Sequence, residues 1–363
     1  MLHQTRSLLA GLLLSLVLVG CSSAGLGRSK SLDPIDYVDP YMGNISHLLV
    51  PTFPTVHLPN GMMRVHPQRT DYASEQLAGL PVILTSHRGV SAFAISTLST
   101  LADSLPEVSR YSYDSESVRP YLYEVTLLEP EVRVRYAPSY RSAIYQFNFE
   151  RAKAGHHLVF STPDGELVAS GKNLFGYQQL EDSTRVYLYA EMDAEPTERL
   201  VRDTLTGRLA TVDGVARGNT LCLSFAKQGV TLRYGVSYIS VEQAKRNVER
   251  EIQSFEVNLV AKYGRNEWSK ALDKVEIEGG TPEERRVFYT SLYRTYERMI
   301  CLSEDGHYWS GFDKKVHDDE GVPFYTDDWL WDTYRATHPL RILLDPVKEQ
   351  QMLTSYLRMA EQS

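Results

Sequence analysis

Carboxylates, indole rings and a guanidinium are concentrated in one short stretch, FYTDDWLWDTYRATHPL at 324–340. If this stretch is one helix, Asp328 and Asp332 are four residues apart and share a face, and Arg335 continues the same stripe. Trp331 flanks that stripe. Carboxylates accept hydrogen bonds from sugar hydroxyls, a guanidinium donates hydrogen bonds to sugar oxygens, and an aromatic ring covers the apolar face of a sugar. The pattern predicts a sugar-binding surface, while helix capping and a structural Asp–Arg pair stay open as the plainer explanation.

Catalysis by this stretch alone is a separate question. Carboxylates on one helix turn lie roughly 6 Å apart at Cβ. The paired carboxylates of glycosidases flank the scissile bond from opposite sides, and in inverting enzymes they lie as far as about 9 Å apart. We therefore do not expect Asp328 and Asp332 to form an acid–base pair.

Two loops carry further candidates. The segment TSHRG follows an apolar run, and its residues Ser86, His87 and Arg88 would form either a ligand contact at a strand end or a plain solvated loop. The acid-rich loop 304–320 offers the oxygen ligands that calcium prefers, but it lacks the residue spacing of an EF-hand loop. A solvated loop is the favoured interpretation there.

The composition is that of a globular protein. The chain has 363 residues, 42% hydrophobic and 23% charged, and this length predicts two domains. The formal net charge is -8 and no long basic run occurs, which argues against nucleic acid as a partner. Cys222 and Cys301 are expected to be separate buried thiols, and the sequence has no zinc-binding motif.

The first residues form a targeting signal. MLHQTRSLLAGLLLSLVLVGCSS carries one arginine and then an apolar run at 8–19 that is short for a membrane span. The residues before Cys21 resemble a bacterial lipobox, which implies a signal peptide at 1–20 and acylation of the Cys21 thiol. Residues 21–32 then form a tether. A secretory signal with an incidental cysteine is the alternative, and a lipid-anchored protein of the bacterial cell envelope is the expectation.

Residues 33–240 carry the pattern of a β domain. The segments EVRVRY (131–136) and AIYQFNF (143–149) alternate apolar and polar residues with period two. Several such segments, separated by turn signals, predict a large antiparallel β-sandwich. In the turn at 59–62 (PNGM), the positive φ is expected at Gly61.

The periodicity changes after Ser240. Apolar residues recur every three or four positions from Val241 to Leu259, which predicts one amphipathic helix of about six turns. A short helix (NEWSKALDKV) and a strand-like segment (VEIEG) follow. Residues 241–280 are therefore interpreted as a helical linker.

Residues 281–363 are predicted to be helical. Thr281, Pro282 and Glu284 form a strong helix start with a capping box. This helix is expected to end near Met299 and to bury one face, Val287, Phe288, Ser291, Leu292 and Thr295. A second helix is predicted from Asp327 or Asp328, and a third follows Asp345-Pro346.

Several motifs together resemble glycoside hydrolase family 92. They occur in the family's order, and WDTYR with the preceding Tyr-Thr is the most specific of them. The motifs are VDPYMGN (38–44), HLPNGMMRVHP (57–67), RRVFYTSLYRT (285–295), DGHYWSGFDKKVH (305–317) and WDTYRATHPLRILLDP (331–346). The resemblance extends over nearly all of the chain after the signal peptide.

The resemblance implies a fold and an activity. Members of this family are bacterial exo-acting α-mannosidases with an N-terminal β-sandwich, a C-terminal (α/α)6 barrel and an active site between them. They invert the anomeric carbon and use a calcium ion bound to mannose hydroxyls. By resemblance, Asp332 with Trp331 contacts the terminal mannose, Arg335 lies beside them, and the Ser86-His87 loop reaches the site. Arg88 and the sequence Asp-Asp-Trp at 327–329 depart from the commoner family residues.

The helices predicted here are only the start of a twelve-helix barrel. In the family, the general acid, the general base and the calcium ligands lie beyond the position matching Ser363, so the resemblance assigns no catalytic residue and no metal ligand to this chain. We expect an N-terminal part of a longer enzyme that is inactive alone. The alternatives are a non-catalytic glycan-binding surface lipoprotein and another sandwich-plus-barrel glycosidase or phosphorylase.

Overall fold

The computed structural model describes residues 32–363 apart from 47, 49, 70–73, 87–90, 107–108, 151–154 and 181–182. Residues Pro34–Ser363 form one compact unit. The predicted signal peptide, the Cys21 lipidation site, His87 and Arg88 lie outside the described residues. In the described part of the chain, no helix combines the length and apolar character needed to cross a membrane.

Short strands fill the first two thirds of this unit, and four shorter ones follow among the helices. The strands are β1 Val56–His57, β2 Arg64–Val65, β3 Gln76–Ala78, β4 Leu80–Leu84, β5 Ser91–Leu98, β6 Arg110–Arg119, β7 Leu122–Leu127, β8 Val132–Pro138, β9 Ser142–Phe149, β10 His157–Ser161, β11 Gly165–Ser170, β12 Asn173–Gln179, β13 Arg185–Met192, β14 Glu198–Arg202, β15 Leu209–Thr211, β16 Ala216–Gly218, β17 Thr220–Ser224, β18 Gly229–Ser237, β19 Ile300–Cys301, β20 His307–Ser310, β21 Lys315–Asp318 and β22 Tyr325–Thr326.

Two large antiparallel sheets hold most of these strands. One has ten strands in the order β16-β11-β12-β13-β18-β9-β8-β7-β6-β3, and the other has six in the order β15-β14-β17-β10-β5-β4. Side chains from both sheets form one apolar core. Tyr145 and Tyr234 of the larger sheet donate their hydroxyl protons to the carbonyls of Pro81 and Val82 at 2.8 and 2.7 Å. The predicted large antiparallel sheets are thus present and pack face to face.

The alternation predicted for β8 and β9 is confirmed. Val132, Val134 and Tyr136 are buried along β8, and Tyr145 is buried on β9 with the other predicted residues. Ile144 of β9 is buried too, because helices cover the opposite face of the ten-stranded sheet and form a second core there. A strand covered on both faces loses its polar side, and period two alone does not predict that.

The helices begin after the last long strand. They are α1 Val241–Glu251, α2 Val257–Leu272, α3 Pro282–Arg294, α4 Leu330–Thr333, α5 Thr337–Leu344 and α6 Pro346–Gln362. The predicted capping box of α3 is confirmed: Glu284 N–H donates to Thr281 Oγ1 at 3.2 Å, and Thr281 N–H donates to Glu284 Oε2 at 2.8 Å. The predicted start of α6 after Asp345 is confirmed as well.

Several predicted boundaries are wrong. The six-turn helix is two helices, broken after Glu251, because Arg233 Nη1 donates to the Ile252 carbonyl at 2.7 Å and Ile252 is extended. The segment VEIEG pairs with none of the described strands. The positive φ of the PNGM turn falls on Asn60, where φ is 57°. Asn60 Nδ2 also donates to the Met299 carbonyl at 2.8 Å, which fixes this turn against the chain after α3.

The buried face of α3 also differs from the prediction. Leu292 is buried as expected, but Val287 is exposed, and the remaining buried residues are Tyr289, Thr290 and Tyr293. Tyr293 can be buried because its hydroxyl donates to the Thr55 carbonyl at 2.5 Å. A hydrophobicity scale that ranks tyrosine below valine therefore predicts the wrong buried face for α3.

Candidate functional site

A cavity of about 550 Å³ lies where the β1–β2 ribbon, the end of β4, the chain after α3 and the segment around α4 meet. We call it the first cavity. Its lining residues are Val50, Pro51, Thr52, Phe53, Thr55, His57, Arg64, His66, Leu84, Ser86, Glu297, Arg298, Trp329, Trp331 and Asp332. Both the strand-rich part of the chain and the helical part contribute to it.

The β1–β2 ribbon gives the first cavity two neutral histidines. His57 pairs with Arg64 across the ribbon, and His66 follows two residues later on the same face. Nδ1 of His57 and of His66 donates to the carbonyls of Leu58 and Pro67 at 2.9 and 3.0 Å. Burial lowers the pKa of His57 to about 3 and that of His66 to about 4, so both rings are neutral at physiological pH.

Arginines and tryptophans also line the first cavity. Arg64 Nη2 pairs with Asp327 Oδ2 at 2.5 Å, and Asp327 has a left-handed φ of 65°. The Arg298 guanidinium lies over the Trp329 ring at 4.9 Å, and Trp329 stacks on Trp331 with ring centroids 5.6 Å apart. The arrangement combines flat apolar surfaces with hydrogen-bond donors, which suits a polyhydroxylated ligand.

Glu297 is a cavity carboxyl that the sequence analysis did not single out. Arg294 Nη1 pairs with Glu297 Oε1 at 2.7 Å and also donates to the Phe53 carbonyl at 3.0 Å. Burial raises the pKa of Glu297, and Arg294 counteracts part of that rise. The sequence around Glu297 does not indicate that its side chain lines a cavity. That position depends on the loop at 50–57, which is distant in the sequence.

Three of the predicted contacts line the first cavity. They are Ser86, Trp331 and Asp332. The Trp331 side chain is 70% exposed, so its ring is accessible to a ligand. Arg335 is absent from the lining, and its Nε donates to the Tyr334 hydroxyl at 3.0 Å. The prediction of one helix through this stretch is wrong, because α4 has only four residues and the stripe from Asp328 to Arg335 does not form.

Asp328 is likewise absent from the lining of the first cavity, and its side chain is only 2% exposed. Its Oδ2 accepts hydrogen bonds from Thr333 Oγ1 at 2.8 Å, from His338 Nε2 at 3.0 Å and from the Tyr356 hydroxyl. Burial alone would raise the pKa of Asp328, but these hydrogen bonds outweigh burial and hold it well below its usual range. This carboxylate is committed to internal partners.

The acid-rich loop at 304–320 folds into the β20–β21 hairpin. Glu304 is fully buried and accepts from Tyr238 N–H at 2.9 Å and Asn247 Nδ2 at 2.7 Å, while Asp305 pairs with Arg250. Across the described residues, no three or more His, Cys, Asp or Glu side chains are grouped so that they could hold a metal ion. These residues do not fit a calcium site.

A second cavity of about 370 Å³ lies next to the first, beyond the Arg64–Asp327 pair. Its lining residues are Thr85, Leu180, Thr184, Tyr238, Ile300, Leu302, Trp309, Gly311, Phe312, Phe324, Thr326 and Asp327. Trp309 Nε1 donates to Thr184 Oγ1 at 3.4 Å. The second cavity is more open than the first and contains one carboxylate among the described lining residues.

Cys222 and Cys301 are free thiols, and Cys222 is buried as predicted, whereas Cys301 is only partly buried. Cys222 is buried in β17, and burial raises the pKa of its thiol to about 12. Cys301 lies in β19 near Arg141, and burial raises its pKa too. Neither thiol lines the first or the second cavity.

Several solved structures of family 92 enzymes share the fold of this chain. An inverting mannosidase of this family from Bacteroides thetaiotaomicron is 26% identical, with a TM-score of 0.81 over 93% of this chain and 49% of its own. A family 92 α-mannosidase from the same organism is 22% identical, with a TM-score of 0.80 over 92% of this chain and 50% of its own. The latter has also been solved with mannoimidazole, with a TM-score of 0.79, 22% identity and coverage of 92% and 49%. The chain thus spans about half the length of these proteins.

Family models account for most of the chain. A comparison with curated proteins gives no match. The model of the glycosyl hydrolase family 92 N-terminal domain matches residues 37–237, which contain both large sheets. The model of the family 92 catalytic domain matches residues 243–363, which contain Trp331 and Asp332 of the first cavity. The chain therefore belongs to glycosyl hydrolase family 92.

Proposed function

We propose that this chain belongs to an inverting exo-α-mannosidase that acts on mannose-containing glycans such as N-glycans or mannan, and that the first cavity binds the terminal mannose. The observation that carries the proposal is the meeting of Trp331, Asp332 and Ser86 in one cavity of a family 92 chain. The structural relatives named as mannosidases, one of them bound to mannoimidazole, support the choice of sugar.

Each cavity group has a role in this proposal. The Asp332 carboxylate accepts hydrogen bonds from two sugar hydroxyls, and the Trp331 ring covers an apolar sugar face. Arg298 donates to ring or glycosidic oxygens. The neutral His66 ring stacks on Phe53 with ring centroids 4.1 Å apart, and both rings form part of the cavity lining. The cavity volume is of the size that proteins use for small ligands.

Hydrolysis with inversion needs two further groups. A carboxylic acid protonates the leaving oxygen, and a carboxylate activates water on the opposite face of the sugar. We assign neither role to a residue of this chain, and we expect the chain alone to bind mannosides without hydrolysing them. Calcium dependence is part of the proposal for the whole enzyme, but no step here involves the metal because the described residues offer no site for it.

Localisation follows from the first residues of the sequence. We propose lipid anchoring through Cys21, after removal of residues 1–20, to the bacterial cell envelope, on the periplasmic side or on the outer-membrane surface. Mass spectrometry of the membrane fraction from a bacterial host would detect the acylated N-terminus. An unmodified Cys21 would contradict the anchor.

The test of the sugar site is a calorimetric titration of the chain with methyl α-mannoside. Because hydrogen bonds to charged groups contribute about 1.5–3 kcal/mol, Asp332→Asn is expected to weaken binding roughly 10- to 100-fold. Trp331→Ala is expected to weaken it about tenfold through the lost ring contact. Asp213→Asn and Tyr334→Ala, both exposed and outside the cavity lining, are the matched controls.

Two results would redirect the proposal. Stronger binding of methyl α-glucoside than of the mannoside would favour another sandwich-plus-barrel glycosidase or phosphorylase. Binding of mannan without hydrolysis, even with sequence added after Ser363, would favour the non-catalytic glycan-binding lipoprotein. Full mannoside affinity in Asp332→Asn would contradict the assignment of the first cavity as the sugar site.

A further inference from the structure

A buried cluster of ionisable groups contacts the chain segment that carries Trp329 and Trp331 of the first cavity. Asp328, His338 and Glu349 form a chain of hydrogen bonds: His338 Nε2 contacts Asp328 Oδ2 at 3.0 Å, and His338 Nδ1 contacts Glu349 Oε1 at 2.6 Å. The side chains of the two acids are each 2% exposed, and that of His338 is 8% exposed. None of the three lines the first cavity.

The geometry sets the charge of His338. A carboxylate oxygen only accepts hydrogen bonds, so a ring nitrogen that faces one must carry a proton. Both ring nitrogens of His338 face carboxylates, and the ring is therefore an imidazolium between two anions. The bond to Asp328 raises the pKa of His338 more than burial lowers it, and the bond to Glu349 raises it further.

The same carboxylate fixes both ends of the cavity segment. Asp328 immediately precedes Trp329, and Thr333 immediately follows Asp332; Thr333 Oγ1 donates to Asp328 Oδ2 at 2.8 Å. The four residues between them include three that line the first cavity. The Trp329–Asp332 segment is thus a short loop and helical turn tied at its start and its end to one anion, which His338 neutralises.

Other ionisable groups surround the two carboxylates, and the Arg341 guanidinium interacts electrostatically with both Glu349 and Asp328. From α6, the Tyr356 hydroxyl donates to Asp328. From α5, Arg341 directs Nη2 to the Thr295 carbonyl at 2.7 Å and also to the Arg298 carbonyl, and Nη1 to Met352 Sδ at 3.3 Å. From the chain after α3, Arg298 interacts electrostatically with Asp328 but lies over Trp329. Among the described residues, only His338 bridges the two carboxylates by hydrogen bonds.

We propose that His338 is a positioning residue for the sugar site: its imidazolium, held between Asp328 and Glu349, fixes the Trp329–Asp332 segment, and loss of the imidazolium proton releases that segment. This inference rests on the proposed function in one respect only: the mannoside whose affinity is measured in the test is the ligand of the proposed sugar site. In a neutral His338 ring, one nitrogen would direct its lone pair at a carboxylate and could no longer donate a hydrogen bond to it. The two buried carboxylates would also lose the positive charge between them.

The sign of the pH effect follows from the raised pKa of His338. The stabilisation is fully present below the ordinary histidine value of about 6.5 and is lost as the pH rises through the raised value. Sugar affinity should therefore be highest at acidic to neutral pH and fall on the alkaline side. The carboxylate of Asp328 stays ionised throughout that window, because its pKa is held low.

The test follows two signals across pH 5.5 to 10 in the wild-type chain and in Glu349→Gln. One is the affinity for methyl α-mannoside, and the other is tryptophan fluorescence without ligand, to which Trp329 and Trp331 contribute two of the four indole rings of the chain. Removing one adjacent anion is expected to move the alkaline midpoint of both signals down by about one pH unit or more. Glu361→Gln, an exposed charge on the same helix, is the matched control and should leave the midpoint unchanged.

An identical midpoint in wild type and Glu349→Gln would overturn the inference. If that variant did not fold, an NMR titration of the His338 ring in the wild-type chain decides: a midpoint at or below about 6.5 overturns it, and a higher one supports it. A chain that binds no mannoside at any pH, yet shows the shifting fluorescence midpoint, would contradict the proposed function and support the positioning role of His338.

Discussion

Arg64 and Asp327 form a buried ion pair in the wall between the first and the second cavity. The two side chains are 5% and 18% exposed, and Arg64 Nε also donates to the Leu84 carbonyl at 3.3 Å. Removal of one member of a buried pair leaves the other charge uncompensated in a poorly solvated place. The pair also holds Asp327 in its left-handed conformation directly before the Asp328 cluster. At the residue scale, this contact joins the sheet to the Trp329–Asp332 segment.

Arg64→Met is expected to lower the free energy of unfolding by about 3 kcal/mol. Arg64→Met combined with Asp327→Asn should lose less than the sum of the two single variants, because the double variant leaves no unpaired charge. Urea unfolding of the four proteins measures this. Arg217→Met is the control: its pair with Glu166 is exposed on both sides, so about 0–1 kcal/mol is expected. Strict additivity would show that Arg64 and Asp327 are not coupled.

The sequence points to Trp331 and Asp332 because tryptophan is scarce in the chain, with four residues, and the two lie side by side in a distinctive motif. Asp328 was assigned to the sugar surface by the same motif, whereas its carboxylate binds His338 and Tyr356 instead. Those partners are ten and twenty-eight residues away in the sequence. A local pattern therefore cannot show that Asp328 binds them and not a sugar hydroxyl. Glu297 could not be predicted either, since its location depends on tertiary contacts of Arg294.

At the scale of elements, the close packing of α1 on β18 depends on Gly235. A Cβ atom at this position would lie 2.1 Å from the Ala244 carbonyl oxygen and 3.0 Å from the Val248 nitrogen, both backbone atoms of α1. Backbone atoms cannot move aside as a flexible side chain can. The helix therefore lies against the sheet at a distance that only glycine permits.

Gly235→Ala is expected to lower the free energy of unfolding by about 1–3 kcal/mol, the usual cost of overpacking, since α1 must shift. Gly229→Ala in the same strand is the matched control, because its Cβ would meet only the Asn148 side chain, at 3.3 Å. The control should change stability little. Urea unfolding compares the two, and equal effects would contradict the close-packing explanation.

The elements differ in how far local sequence determines them. Strands such as β8 follow from alternation, and the start of α3 follows from its cap, because both signals are local. The break between α1 and α2 does not, because the Ile252 carbonyl accepts from Arg233 of β18. The hydrophobic period continues through that break. A tertiary hydrogen bond ends a helix there that the pattern alone would extend.

At the scale of the whole molecule, buried polar contacts join the strand-rich part to the helical part. Glu304 accepts hydrogen bonds from Tyr238 N–H after β18 and from Asn247 of α1, and burial raises its pKa to about 6. Arg141 Nε donates to the Ser303 carbonyl at 2.7 Å, and the Trp268 indole donates to the His57 carbonyl at 2.7 Å. Because of these contacts, residues of both parts line the first cavity, and neither part alone would form it.

The order of a β region followed by helices was predictable from the change of period after Ser240, and the structure has its last long strand at Gly229–Ser237 and its first helix at Val241–Glu251. The contact of residues 50–57 with Glu297 and Trp331 was not predictable, because local sequence patterns do not show which distant loops lie close together in the fold. The sequence motif identified one wall of the site, and the fold supplied the others.

The most direct test of the central claim is a crystal structure of this chain with mannoimidazole at saturating concentration. We expect the sugar-like ring in the first cavity, in contact with the Trp331 indole and with the Asp332 carboxylate at hydrogen-bond distance from two hydroxyls. Mannoimidazole bound in the second cavity beside Trp309, or a first cavity without ligand at saturation, would contradict it.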